Sequence, residues 1–205
     1  MIKICIASNN RNKIKQFGEI IAGEGICAET YSAGDLGFSD FPPEDAETFF
    51  GNSLIKASAV RGFLEAKGIA GQYYVLSDDS GICADALGGA PGVHSARFSG
   101  EHATDDANNR KLVSLLAAFP EEERTAHYSC VVTMIVPNGD IISGQGMVFG
   151  RVIDTPRGHD GFGYDPFFYV DPKGATFAEL SSADRNAISH RGNALRRVIR
   201  EIKLR

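Results

Sequence analysis

The chain has 205 residues, enough for one domain, or one domain with two lobes, around a substantial core. It is 43% hydrophobic and 23% charged, with 21 Lys and Arg against 26 Asp and Glu, a net charge of −5. A protein that tracks a nucleic-acid backbone carries a basic excess, so this balance argues against an extended DNA or RNA footprint and leaves open a small anionic ligand in a locally basic pocket.

Ile2–Ala7 reads as a first strand, followed by a polar loop over Ser8–Asn12. The spacing of Ile14, Phe17, Ile20 and Ile21 predicts a helix that ends near Gly23 or Gly25. Ile26–Tyr31 is a second strand, and Ser32–Pro43 is loop. A long helix is expected from about Ala46 to Lys67, with Phe50, Leu54, Ala57, Val60 and Leu64 as its buried stripe and Gly68 as its stop. Tyr73–Ser77 and Ile82–Ala86 read as two short strands, then Gly88–Gly92 as a tight loop. Thr104 has the chemistry of an N-cap, with Asp105 and Asp106 in the first turn of a helix reaching about Phe119. Asn138-Gly139 between Thr125–Val136 and Asp140–Ile153 is a hairpin signal. A last helix covers Ala183–Lys203. The order β-α-β-α-β-β-α-β-β-α predicts an α/β fold with a mixed sheet.

The cysteines Cys5, Cys27, Cys83 and Cys130 form no CxxC pattern and sit in apolar, strand-like contexts, so they read as core residues of a protein from a reducing compartment. Met1–Ala7 is too short for a signal peptide, and no apolar run approaches the roughly 18 residues of a membrane span. The expectation is a cytoplasmic protein with neither a membrane nor a nucleic-acid partner.

Five segments carry chemistry-bearing side chains. In Val75-Leu76-Ser77-Asp78-Asp79-Ser80-Gly81 an apolar run ends in adjacent carboxylates. Successive strand side chains point to opposite faces, so if the strand persists here, one carboxylate serves a metal and the other anchors the loop. Mg²⁺ is usually held by one or two carboxylates plus substrate phosphates. The same residues also make an ordinary strand-ending turn. The loop Ser8-Asn9-Asn10-Arg11-Asn12-Lys13 lies between a strand and a helix, where N–H groups, the helix dipole and Lys13 attract anions; it reads equally as a polar loop with an Asn cap. Glu44 precedes the helix that bears Asn52 and Lys56 on one face, and can complete a metal site or simply satisfy the helix dipole. In Gly161-Phe162-Gly163-Tyr164-Asp165-Pro166 the glycines allow close backbone approach and a ring can stack on a base; a Gly-Pro turn with core aromatics is the alternative. In the segment Arg185–Gly192, His190 and Arg191 donate hydrogen bonds and can read carbonyl oxygens of a base edge, or the segment forms a basic helix face.

These segments, in this order and together with Ser95-Ala96-Arg97-Phe98-Ser99-Gly100, resemble the inosine triphosphate pyrophosphatase family from Ile2 to Gly192. The resemblance implies an elongated mixed β-sheet flanked by helices, with two lobes, a central active-site cleft and one pyrophosphatase domain over residues 1–205. It implies Mg²⁺-dependent hydrolysis of dITP, ITP and XTP to the monophosphate and pyrophosphate by a homodimer. Carried over residue by residue, Asp79 is the metal-associated general base and Asp78 its acidic neighbour, with Glu44 the second metal carboxylate. Ser8, Asn9, Asn10, Arg11, Asn12, Lys13 and Lys56 face the triphosphate, and Ser80 contacts substrate. Phe162, Gly163, Tyr164 and Asp165 form the base-binding segment, and His190 with Arg191 the base-reading pair. Three positions depart from the family pattern: Gln16 and Gly51, where the family often has Glu, and Arg185, where a substrate-binding Lys is usual. A Maf-type nucleotide pyrophosphatase and a catalytically silent nucleotide sensor are the competing readings.

Overall fold

The two-residue period of a strand sorts the core of the N-terminal region. In β1 (Ile2–Ile6), Ile4 and Ile6 join one hydrophobic cluster and Cys5, between them, joins another. Helix α1 (Arg11–Gly23) covers the first face with Phe17, Ile20 and Ile21, and α2 (Phe49–Ala66) covers the second with Ala57, Val60 and Leu64. Each fully buried side chain of this kind contributes about 1.5–3 kcal/mol relative to an exposed one. The computed structural model describes residues 1–203.

The remaining elements are β2 (Ala28–Ser32), β3 (Tyr73–Ala84), α3 (Asp105–Leu116), β4 (Thr125–Ile135), β5 (Ile141–Val152), β6 (Phe168–Val170), β7 (Ala175–Thr176), α4 (Ser182–Ile188) and α5 (His190–Lys203). The sheet order is β2-β1-β3-β4-β5-β6-β7. β1 pairs parallel with β2 and β3, Cys5 lying opposite Tyr31 and Val75, while β6 pairs antiparallel with β5 and β7. The sheet is therefore mixed and helix-flanked, an α/β fold.

By its contacts the chain forms two compact units. The first holds residues 1–79, 130–146 and 191–205, with α1 and α5 on one sheet face and α2 on the other. The second holds residues 80–129 and 147–190 and has one core, in which Leu112 and Leu116 of α3 meet Ile82, Tyr128, Phe168 and Phe177.

Most of the elements expected from the sequence form, with four corrections. The two short strands around Asp78-Asp79 are one continuous strand, β3, because the backbone stays extended through both carboxylates. The last helix is two: Ser189 is extended (φ −65°, ψ 152°), which ends α4 and starts α5 at His190. In α2, Phe50 is exposed, because it lies in the first turn, ahead of the packed residues Ser53, Ala57, Val60 and Leu64. Cys27 is exposed, while Cys5, Cys83 and Cys130 are buried as expected. The short strands β6 and β7 lack enough alternating residues to stand out in the sequence. Among the described residues no helix is long and apolar enough to cross a membrane.

Local chemistry sets the element ends. Asn10 caps α1, Thr48 caps α2 and Thr104 caps α3, each side-chain oxygen accepting a backbone N–H of the first turn. Thr48 Oγ1 takes the N–H of Gly51, and a Cβ at Gly51 would lie 2.6 Å from Ala46 Cβ, so a glutamate there would have to displace the chain before the helix. The β4–β5 turn closes through Gly139 N–H to Val136 O (2.8 Å), with Gly139 at φ +95°.

Gly81 of β3 admits Gly92 O and Ser95 Oγ so closely that a Cβ would sit 2.1 and 2.4 Å from them. Gly81→Ala is expected to destabilise the protein by about 1–3 kcal/mol, as overpacking does. A lowered urea midpoint with an unchanged slope checks it, and a wild-type midpoint would contradict the crowding.

Candidate active site

Continuity of β3 decides how the acidic pair is used. Asp78 falls on the face of Leu76, toward α1 and α5; Asp79 falls on the face of Val75, toward α2. Asp78 is 2% exposed. Lys13 Nζ lies 3.1 Å from its Oδ2, and Arg191 Nε lies 3.2 Å from the same oxygen. Burial by itself pushes the Asp78 carboxyl up, but the charges of Lys13, Arg191 and Lys56 overcome it and hold the group well below the usual carboxylate range. Arg191 Nη1 also donates to Gln16 Oε1 (3.3 Å), so the carboxamide at this departure from the family pattern holds the guanidinium that holds Asp78.

Asp79 has different neighbours. Its Oδ2 accepts from Asn52 Nδ2 at 3.0 Å. Burial raises its pKa, Lys56, the Asn52 hydrogen bond and Lys13 pull it back, and nearby Glu44 adds to the rise; the net shift is upward. Lys56, buried on α2, makes a short ion pair with Glu44. One turn earlier, Asn52 Oδ1 accepts the N–H of Ala46, which ties the Glu44-bearing segment to the helix. Asn52 thus touches both the loop and Asp79, as its placement four residues before Lys56 allows.

The Ser8–Lys13 loop is shaped by its own side chains. Asn10 N–H donates to Ser8 Oγ (3.1 Å), and Asn10 Oδ1 takes the N–H groups of Asn12 and Lys13 (2.9 and 3.2 Å). Asn9, Arg11 and Asn12 are exposed, and Asn9 Nδ2 reaches Ser39 O at 3.5 Å. With two amides already capped, the anion attraction of this loop rests on its cations, the exposed Arg11 and Lys13, which is itself paired with Asp78.

The first unit therefore gathers three cations, Lys13, Lys56 and Arg191, and three carboxylates, Glu44, Asp78 and Asp79. Among the described residues no three His, Cys, Asp or Glu side chains form a metal-binding group. The pair Glu44 and Asp79 suits a hard divalent cation of the Mg²⁺ type, which takes one or two protein carboxylates and completes its shell with ligand oxygens. A cation there would also oppose the upward push that burial gives Asp79.

In the second unit the segment Phe162–Asp165 is held from several sides. Gly163 N–H donates to Asp105 Oδ2 (2.8 Å), and Gly163 O accepts from Asn109 Nδ2 (2.9 Å). Asp105 and Asn109 are four apart on α3, so one helix face grips both backbone polar groups of one residue, Gly163. Tyr164 OH donates to Ser95 O (2.8 Å). Asp165 Oδ2 accepts the N–H of Phe162 (3.2 Å), and Tyr128 OH donates to Asp165 Oδ1 (3.0 Å). The Tyr128 ring stacks on His190 with centroids 4.6 Å apart and planes 11° apart. Arg185 Nη1 donates to Phe177 O (3.0 Å). Ser80 is half-buried at the start of this unit's share of β3.

Of the expected residues, Lys13, Glu44, Lys56, Asp79 and Arg191 are drawn together in the first unit with Asp78, and Phe162, Gly163, Tyr164, Asp165, Ser80, Arg185 and His190 belong to the second. The helix break at Ser189 replaces the continuous helical face expected for Arg185–Arg191. Asp105, Asn109 and Tyr128 carry hydrogen bonds to the Phe162–Asp165 segment and are not among the candidate site residues; Asp105 reads from the sequence only as a first-turn residue of α3. The i, i+4 spacing of Asp105 and Asn109 on a predicted helix is a usable signal; Tyr128, one aromatic in an apolar strand, has none.

Removing the Asp78 charge leaves the buried Arg191 and the half-buried Lys13 against a neutral amide. Asp78→Asn is expected to destabilise by about 3–5 kcal/mol, the usual loss when one partner of a buried ion pair is removed. A thermal or urea melt checks it; a loss under 1 kcal/mol would mean that the two cations find other partners.

The model of the Ham1 family matches residues 4–201. The chain is 45% identical to a dITP/XTP pyrophosphatase of Geobacter sulfurreducens over 197 residues, 95% of this chain and 94% of that protein. It is 40% identical to the dITP/XTP pyrophosphatase of Bacillus subtilis, over 97% of this chain and 96% of that one. Among solved structures, a HAM1 protein from Coxiella burnetii superposes with a TM-score of 0.83 at 33% identity, covering all of both chains. The Staphylococcus aureus Ham1 protein gives 0.78 at 36% identity over 95% of this chain and 94% of that one. A family match over nearly the whole length, with structures of the same fold, leaves one assignment: the chain belongs to the Ham1 family.

Proposed function

We propose that this protein hydrolyses non-canonical purine nucleoside triphosphates, dITP, ITP and XTP, to the monophosphate and pyrophosphate, as one pyrophosphatase domain over residues 1–205. The observation that carries the reading is near-full-length similarity to relatives named dITP/XTP pyrophosphatases, at 45% and 40% identity. Mg²⁺ as the cation, a homodimer and a cytoplasmic location belong to the same reading and come from the family resemblance.

The residue chemistry supports a division of labour. Asp79 accepts a proton from the water that attacks the α-phosphorus. A carboxylate within hydrogen-bond reach of that water is a competent general base. Glu44 and Asp79 would hold Mg²⁺, which when bound supplies positive charge for the oxygens of the departing pyrophosphate. Lys13, Lys56 and Arg185 gather the triphosphate, with Ser8, Asn9, Asn10, Arg11, Asn12 and Ser80 as polar contacts. Lys56 serves twice, since it neutralises Glu44 before substrate arrives. Displacement at phosphorus needs little covalent help from the protein, so positioning and charge account for most of the rate.

Phe162, Gly163, Tyr164 and Asp165 take the base. His190 donates to the 6-oxo group of a deaminated purine, whereas the 6-amino group of ATP would leave that donor unmatched, a mispairing that discriminates by orders of magnitude. Arg191 is expected from the resemblance to share this reading. Its Nε and Nη1 are committed to Asp78 and Gln16, so we assign it chiefly to holding Asp78.

Phosphorus NMR of a reaction with ITP and Mg²⁺ is expected to give IMP and pyrophosphate in one step; IDP as the first product would overturn the reading. Asp79→Asn is expected to lower kcat by about 10²–10⁴ while the circular-dichroism spectrum stays that of wild type, the usual scale for losing a general base. A folded variant with wild-type turnover would remove Asp79 from the mechanism.

A further inference from the structure

Tyr128 lies on β4, inside the second unit's core, and no motif contains it. Its two ends do different things. The hydroxyl donates to Asp165 Oδ1 at 3.0 Å, and the other oxygen of that carboxylate takes the N–H of Phe162 at 3.2 Å. The ring lies nearly parallel to the imidazole of His190, 4.6 Å away at 11°. Phe177 also stacks on the Tyr128 ring at 5.7 Å and 20°, and Phe168 meets that ring edge-on at 4.6 Å and 61°. Phe168 in turn meets Phe177 at 5.2 Å and 81°. The ring is thus packed against three other rings, two of them roughly parallel to it and one edge-on, and Tyr128 and His190 are both almost fully buried.

We infer that Tyr128 is a positioning residue for purine selection: it sets the plane of the His190 ring and the carboxylate orientation of Asp165 through a single rigid side chain. The inference rests on the functional reading above, in which His190 reads the 6-oxo group and Phe162–Asp165 hold the base. A tyrosine has only two side-chain torsions, so clamping its ring fixes its hydroxyl as well. Stacked rings resist relative tilt, and an imidazole held parallel to a clamped phenol can present its donor edge in one plane only. The phenol hydrogen bond likewise leaves one Asp165 oxygen for the Phe162 amide, which fixes the loop at its two ends. Selection of the base would then depend on a residue that never touches it. The neighbouring aromatics alone do not supply this link, because Phe168 and Phe177 carry no hydroxyl.

Two substitutions separate the roles. Tyr128→Phe keeps the stack and removes only the hydrogen bond. It is expected to raise KM for ITP about 2–12-fold with kcat within about twofold, the range that a net hydrogen bond of about 0.5–1.5 kcal/mol converts to. Tyr128→Leu removes the stack as well, and is expected to lower the ITP-over-ATP ratio of kcat/KM about 10-fold or more. A merely structural role would reduce the folded, active fraction, which lowers apparent kcat and leaves KM and the ITP/ATP ratio unmoved. Should Tyr128→Leu fail to fold, Tyr128→Phe decides alone. Wild-type enzyme that releases no pyrophosphate from ITP would overturn the functional reading. Wild-type turnover with Tyr128→Phe at wild-type KM, or with Tyr128→Leu folded and at the wild-type ratio, would overturn this inference and leave that reading standing.

Discussion

The buried carboxylate of Asp78 is the constraint on which the first unit depends. A lone ionised carboxylate in such a place is untenable, so the fold must bring cations to it. Lys13 arrives from the start of α1 and Arg191 from the start of α5, and both reach the same oxygen. This explains why two distant parts of the chain, 178 positions apart by their numbers (191 − 13), are needed at one strand. The extended Ser189 ends α4, and the new helix that begins at His190 carries Arg191 in its first turn.

The period of the strand then divides labour between the two aspartates. Asp78 is spent on cohesion, with its cations neutralised and its pKa low. Asp79, one residue on and on the opposite face, is only partly compensated and its pKa is raised. Here the difference follows from one fact of geometry, the opposite orientation of neighbouring side chains on an uninterrupted strand.

The second unit solves a different problem, that of holding a glycine-rich segment still. Gly161 and Gly163 have positive φ (+87° and +64°), so the backbone of Phe162–Asp165 has little intrinsic preference for its shape. Rigidity is imported from Asp105 and Asn109 on α3, from Tyr164 to Ser95, and from Tyr128 to Asp165. A loop held this way loses less conformational freedom when a ligand arrives, which favours both affinity and selectivity.

By itself the sequence determined the element types, the mixed α/β class, the cap at Thr104, an Asn cap in the Ser8–Asn12 loop, and the family. Those rest on local signals: hydrophobic period, capping chemistry and motif order. Asp78-Asp79, Lys13, Glu44, Lys56 and His190-Arg191 were also legible, because ionisable residues in apolar or glycine-rich contexts stand out. The tertiary structure decided the rest. That β3 runs unbroken through two carboxylates depends on pairing along the sheet and on cations from α1 and α5, neither of which is visible in residues 75–81. Arg191 turns to Asp78 and Gln16 because a buried charge takes the nearest partner, and nearness here is set by packing. Tyr128 had no sequence signature at all: an aromatic on a strand is ordinary core until its hydroxyl and ring are seen to meet Asp165 and His190, residues 37 and 62 positions away (165 − 128 and 190 − 128).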